Sequence, residues 1–240
     1  MGLRKSRVGC GHYKVNENFF VNWSPEMAYI TGVIAADGNI YLNQFHNKHD
    51  LEITSKDFAW LEKIKKTMKA GHSLYARKYV AKNGDHSVVY RFRIGSTKLV
   101  KDLLKIGIHP KKSLTLEFPH VPSQYLNHFV RGYFDGDGNA YPYLKQGKYQ
   151  CIQLSFYGTR DFLASLNHRI AENICCKIKN VNQEENICEL RYNTREAENV
   201  LRWMYYDATI CLSRKYRIFV DYISKRYTKL PTQKLDEHAF

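Results

Sequence analysis

The chain has 240 residues and a formal net charge of +14, from 37 lysines and arginines against 23 aspartates and glutamates. Both halves carry the excess, +7 over residues 24–120 and +4 over 121–226, which points to a polyanionic partner engaged by both. No apolar run approaches the roughly 20 residues that span a bilayer, and no apolar signal core opens the sequence, so no membrane partner and an intracellular protein, cytoplasmic or organellar, are expected.

Residues 1–23 read as a basic extension. The segment Ile30-Thr31-Gly32-Val33-Ile34-Ala35-Ala36-Asp37-Gly38-Asn39 reads as a helix of apolar and small residues ending in an acid. A polar loop with His46, Asn47 and His49 follows, then a strand over 51–54 and a helix over about 55–69 with Ser55 as its N-cap. In that helix Phe58, Leu61, Ile64 and Met68 recur at helical spacing and form a buried stripe. Strands over 74–80 and 88–94 flank Lys82-Asn83-Gly84-Asp85, a hairpin turn signal. Alternation puts Val88, Tyr90, Phe92 and Ile94 on a core face and Arg91 and Arg93 on a cationic one. A helix over 96–106 and a proline-containing connector over 107–122 lead into the second half.

There Val130-Arg131-Gly132-Tyr133-Phe134-Asp135-Gly136-Asp137-Gly138-Asn139 repeats the first segment one hundred residues on. Ile152, Leu154 and Phe156 alternate with Gln153, Ser155 and Tyr157, and Thr159 caps a helix reaching about 174. A hairpin pairs 177–181 with 187–192, pointing Leu190 and Tyr192 inward and Arg191 outward in an echo of Arg91. Helices over 195–206 and 214–226 complete the half. Ser55-Lys56-Asp57-Phe58 and Thr159-Arg160-Asp161-Phe162 support duplication, as do Pro110-Lys111-Lys112-Ser113 and Ser213-Arg214-Lys215-Tyr216. The pattern predicts an α+β fold of two pseudo-symmetric αββαββα repeats, 24–121 and 122–227, with a tail over 228–240. Their antiparallel sheets would form a concave basic saddle.

Gly32 and Ala36 share one helix face, as do Gly132 and Gly136, so the two segments can pack closely. Asp37 and Asp137 would then emerge at the same end, where the helix dipoles disfavour negative charge. Like charges so placed share a proton or recruit a cation. A short His46-Asn47-Lys48-His49 motif lacks a partner histidine at a metal-binding spacing, and the six cysteines form no Cys-x-x-Cys pair, which argues for reduced thiols rather than zinc ligands.

Gly32-Val33-Ile34-Ala35-Ala36-Asp37-Gly38 and Gly132-Tyr133-Phe134-Asp135-Gly136-Asp137-Gly138 resemble the signature of the LAGLIDADG homing endonucleases, in the single-chain form with two motif copies, over about 24–227. The resemblance implies motif helices at the interface between halves and a site-specific endonuclease that hydrolyses both strands of a long DNA target. It makes Asp37 and Asp137 the catalytic metal ligands, with the carbonyls of Ala36 and Gly136 as auxiliary ligands and Mg²⁺, or Ca²⁺ or Mn²⁺, as the cofactor. It places Lys112 and Lys215 as basic residues beside the acids. A monomer with double-stranded DNA as partner follows, with intron RNA as a further partner. On the same scaffold the alternatives are an intron-encoded RNA maturase and a DNA-binding regulator without catalysis. Outward strand residues that would contact the duplex are Tyr41, Asn43, Arg77, Arg91, Arg93, Gln153, Tyr157, Lys179 and Arg191. The chain departs from the family pattern at Ala35, opposite Asp135 in the second copy, and at Ser55 and Thr159, where members often carry glutamine.

Overall fold

The computed structural model describes residues 14–43, 48–80, 86–184 and 187–228. The first repeat runs α1 (Pro25–Asp37), β1 (Gly38–Asn43), β2 (Lys48–Ser55), α2 (Phe58–Thr67), β3 (Tyr75–Val80), β4 (His86–Gly95) and α3 (Thr97–Ile106). The second runs α4 (Leu126–Asp137), β5 (Gly138–Lys145), β6 (Tyr149–Gly158), α5 (Arg160–Ile174), β7 (Val181–Glu184), β8 (Ile187–Asn193) and α6 (Arg195–Tyr205), followed by α7 (Ser213–Tyr227). Both antiparallel sheets have the same order, β1-β2-β4-β3 and β5-β6-β8-β7. This is the expected pair of αββαββα repeats, followed by the second of the two helices expected after the last strand.

Alternation builds each sheet on its core. Ile53 and Phe92 are register partners in the first sheet, as Phe156 and Leu190 are in the second, and all four are buried. The helices cover these inner faces with apolar stripes: Trp60, Leu61 and Ile64 of α2, Leu99, Val100 and Leu103 of α3, Phe162, Leu163, Leu166 and Ile170 of α5. The opposite faces remain open. Residues 14–23 lie against the first repeat: the Asn16 amide donates to the Met68 carbonyl (3.3 Å), the Gly71 amide to Lys14 (2.8 Å), and Phe20 is buried. Helix α7 packs on α6 through the stacked rings of Tyr205 and Phe219, 5.6 Å apart.

Several local expectations need correction. Ser55 ends β2 and does not cap α2: its Oγ accepts from the Asp57 amide at 3.1 Å, and Asp57 stands at the N-cap without a side-chain capping bond. Thr159 is a true cap, accepting from the Phe162 amide while donating to the Leu116 carbonyl at 2.5 Å. Val88 is exposed because the hairpin outruns the helix layer, and the core face of β4 is solid only at Phe92 and Ile94. The second hairpin begins at Val181, not 177, since Asn167 holds the backbone of Lys179 on both sides (2.6 and 3.1 Å) and keeps it out of the ladder. Lys48 and His49 belong to β2, whereas Cys10, His46, Asn47 and the 82–85 turn lie outside the described residues. The five described cysteines, Cys151, Cys175, Cys176, Cys188 and Cys211, are free thiols.

Candidate active site

The site is built by the contact of α1 with α4. A β-carbon added to Gly132 would lie 2.0 Å from the Tyr29 carbonyl oxygen, and one added to Gly32 would lie 2.1 Å from that of Phe129. These contacts are reciprocal at an offset of one hundred residues, as a pseudo-two-fold axis between the helices requires. Backbone meets backbone, so no side chain fits at either position. One turn further, a β-carbon on Gly136 would meet Ala36 at 2.4 Å and the Asp37 Oδ2 at 3.1 Å. The small residues therefore bring the two C-terminal ends together, and β1 and β5 leave directly from the two acids.

Asp37 and Asp137 each keep an open solvent face but are crowded by protein on their other sides. Burial first and the Asp137 charge second push the Asp37 carboxyl up to about 6, against the pull of Lys215, Lys112 and Arg214. Burial also raises Asp137, opposed by Lys112 and then Lys215. Each acid thus feels most strongly the lysine of the other repeat.

Lys112, buried on a 3₁₀ turn (Lys112–Leu114), donates to the carbonyls of Gly38 (2.5 Å) and Ala36 (3.5 Å). Lys215, buried in the first turn of α7, donates to those of Phe134 (2.6 Å), Gly136 (3.2 Å) and Gly138 (2.6 Å). Both ammonium groups satisfy carbonyls left unpaired where helix passes into strand, the end of the dipole that favours a cation. Burial lowers Lys112, and it lowers Lys215 to about 8. The four residues singled out in the sequence are thus gathered at one place.

The donors offered there are hard oxygens: two carboxylates and the carbonyls of Ala36 and Gly136. Among the described residues no group of three or more His, Cys, Asp or Glu gathers to hold a metal. Two carboxylates with open coordination positions suit a Mg²⁺-like ion, which keeps several waters or phosphate oxygens, and not a zinc-type site. The lysines leave each of the two carbonyls a free lone pair, so the residues fit such an ion.

Beneath the acids lies a buried network that sequence reasoning missed. Tyr29 donates to Asp135 at 2.6 Å and accepts from the Trp60 indole at 2.7 Å, and the Leu212 amide also donates to Asp135 at 2.7 Å. Arg131, fully buried, donates to the carbonyls of Met204 (2.6 Å) and Ile210 (3.0 Å). Burial pushes Asp135 up to about 6 against these hydrogen bonds. The signal was a charge pair at i and i+4, Arg131 and Asp135, within the second motif helix.

The open sheet faces flank the acids. The first carries Tyr41, Arg77, Arg91 and Arg93, all exposed, with Asn43 at the strand end. Arg93 pairs with Asp50 at 2.7 Å and lies over the Tyr41 ring, and Arg91 reaches Glu52 at 3.4 Å. The second face carries Gln153, whose amide donates to Ser155 at 3.4 Å, with Tyr157 and Arg191. Arg191 stands opposite Ser155 as Arg93 stands opposite Glu52, so it corresponds to Arg93 rather than Arg91. Glu189, unforeseen, is buried on this outward face and binds both Arg191 and the Tyr157 hydroxyl (3.3 Å). Lys179 does not join the face: it sits in the connector before β7, where its ammonium pairs with Glu196 of α6, in the helix layer, at 2.5 Å.

No protein-family profile matches the sequence, and no curated protein matches it. Solved structures do. The homing endonuclease I-WcaI bound to its DNA recognition sequence superposes with a TM-score of 0.58 at 12% identity, covering 85% of this chain and 91% of its own. The LAGLIDADG homing endonuclease I-GzeII in complex with DNA target gives 0.56 at 14% identity, covering 88% and 94%. The LAGLIDADG meganuclease I-AabMI bound to uncleaved DNA gives 0.55 at 13%, covering 86% and 91%. With paired sheets, interlocked motif helices and acids at their joint, the chain has the fold of the single-chain LAGLIDADG homing endonucleases.

Proposed function

We propose that this protein is a site-specific homing endonuclease that hydrolyses one phosphodiester in each strand of a long DNA duplex, acting as a monomer with divalent metal. The observation that carries the reading is the joining of Asp37 and Asp137 by glycine-mediated helix contact between two open, polar sheet faces, the first of them carrying Arg77, Arg91 and Arg93. A helix exit serving stability alone would not set two carboxylates together at the negative ends of two dipoles. The DNA-bound state of similar folds supports the same partner.

Asp37 and Asp137, with the carbonyls of Ala36 and Gly136, would hold the metal, Mg²⁺ in the first instance. Bound there, it supplies charge neutralisation on the phosphate and an activated water. Lys112 and Lys215 fix the carbonyls that frame the site and keep positive potential beside the acids, which holds the carboxylates ionised and draws a phosphate in. Arg77, Arg91 and Arg93 on one sheet, and Arg191 with Gln153 and Tyr157 on the other, contact phosphates and base edges, arginine suiting guanine and glutamine adenine. Glu52 and Glu189 anchor their arginines and so restrict which guanidinium orientations the duplex meets.

The test is incubation with a randomised duplex library and Mg²⁺, followed by sequencing of cut ends. Enriched cleavage at one long site, lost in Asp37→Asn/Asp137→Asn, is expected. A site bound and left intact by the wild-type protein would replace the nuclease with a regulator, and selective binding of intron RNA with no DNA site would replace it with a maturase.

A further inference from the structure

The two lysines are held in different ways. Lys112 rides on a 3₁₀ turn entered through Lys111 in the left-handed region (φ 55), and the first motif has Ala35 where the second has Asp135. Lys215 belongs to the first turn of α7, whose N-cap, Leu212, makes no side-chain capping bond. On its exposed side that turn is tied to the first repeat, where Lys63 donates to the Ser213 hydroxyl (3.3 Å) and Arg214 to Asp57 (3.0 Å); on its buried side the tie is Asp135. One oxygen, Oδ2, accepts from both the Leu212 amide and the Tyr29 hydroxyl (2.7 and 2.6 Å), while the Leu212 carbonyl accepts from the amide of Lys215 at 3.0 Å. Lys215 returns to α4 through the carbonyls on either side of Asp135, those of Phe134 and Gly136. The path from Asp135 through Leu212 and Lys215 back to α4 is thus a closed ring of hydrogen bonds. Arg131 ties the preceding segment at Met204 and Ile210, leaving the residue next to α7 to Asp135.

We propose that Asp135 is a positioning residue for Lys215, clamping the start of α7 so that the lysine reaches the carbonyls framing one metal-binding end, a clamp without counterpart at Lys112 among the described residues. Tyr29, itself held by Trp60, brings the first repeat into the same clamp. The consequence for cleavage rests on the nuclease reading; the clamp itself does not.

The experiment is competitive acylation of lysine amines with acetic anhydride on the intact protein, read by peptide mass spectrometry, with Lys112 as the internal reference. Asp135→Ala removes the acceptor and raises Lys215 labelling roughly tenfold, the factor a lost charge-assisted hydrogen bond gives, with Lys112 unchanged. Asp135→Asn, whose one side-chain oxygen can take the place of Oδ2 as a neutral acceptor, brings Lys215 labelling back most of the way to the wild-type level. Unchanged Lys215 in Asp135→Ala, or an equal rise at Lys112, overturns the proposal. Should Asp135→Ala fail to fold, hydrogen exchange of the wild-type Leu212 amide decides: strong protection supports the clamp and fast exchange refutes it. On a supercoiled substrate carrying the target, Asp135→Ala accumulates nicked circle, since one site is impaired; absence of cleavage by the wild type would defeat the nuclease reading and leave the labelling result standing.

Discussion

Substitution of Gly132 by alanine tests the helix joint most directly. The new β-carbon would stand 2.0 Å from the Tyr29 carbonyl oxygen, 2.9 Å from its carbon and 3.0 Å from the Val33 amide nitrogen. That first distance falls about 1.4 Å short of the 3.4 Å at which ordinary contact begins. Since every obstacle is backbone, no rotamer change relieves it and α1 must move from α4. Overpacking costs up to about 3 kcal/mol where side chains can adjust, so about 3 kcal/mol or more is expected here. For a chain of this size that is a fall of about 6–12 °C in melting temperature. The acids move apart with the helices, and a displacement of about 1 Å is worth a loss of about 100-fold in cleavage. Thermal denaturation followed by circular dichroism, with cleavage in parallel, measures both. Gly147→Ala is the control: its φ of +68 is strained but nothing lies within 4 Å of the new carbon, so about 1–2 kcal/mol is expected. Gly32→Ala presses on the same joint from the other side, and the double variant should cost clearly less than the sum, because one separation relieves both clashes. A Gly132→Ala melting point within 2 °C of wild type, or strict additivity, would refute the reasoning.

Asp37→Asn and Asp137→Asn should each abolish metal-dependent cleavage without lowering the melting temperature, since each relieves a repulsion at the helix ends; calorimetry and a cleavage assay on the two proteins check this. Arg131→Met leaves the Met204 and Ile210 carbonyls unpaired in the core and should cost about 2–6 kcal/mol in urea denaturation, at about 1–3 kcal/mol per stranded group. Glu189→Gln removes a buried negative charge from the outward face of the second sheet and should tighten non-specific duplex binding in fluorescence anisotropy titrations while relaxing base preference near Arg191. Asp102 is held below the usual carboxylate range by hydrogen bonds from Lys98 and Lys105 that outweigh its burial. Its contribution is therefore present above the ordinary carboxylate pKa and lost as pH falls through the lowered one. Asp102→Asn should cost about 0.5–1 kcal/mol at neutral pH and nothing in strong acid, as urea denaturation at the two pH values would show.

Much of the site was legible in advance because duplication marks it twice. Small residues four apart on a helix cannot hide, and an acid before glycine at the same place in each copy names its own position. Lys112 and Lys215 were placed beside the acids by the family resemblance, at matching positions in the flanking phrases of the repeat, although their bonds to the carbonyls of Gly38, Gly136 and Gly138 had no trace in the residues. Lys179 was misplaced because a basic residue beside a predicted hairpin looks like a strand residue. What excluded it was Asn167, twelve positions earlier on α5, a contact no local pattern encodes. Ser55 read as a cap for the same reason: the strand end and the helix start lie two residues apart, and the hydroxyl serves the turn between them.

By itself the sequence determined the repeat, the order of helices and strands, which strand faces are apolar and which cationic, and that two acids stand at equivalent places. These properties follow from periodicity and from copying, and both are local. Only the tertiary structure decided that each acid feels most the lysine of the opposite repeat, that Asp135 joins α4 to α7 and to Tyr29, and that Glu52 and Glu189 lie buried beneath outward arginines. Apart from Glu189 and Arg191, two residues apart on one strand, those are relations between segments tens to more than one hundred residues apart. They exist because close backbone packing of α1 on α4 fixes where every element leaving that joint must go.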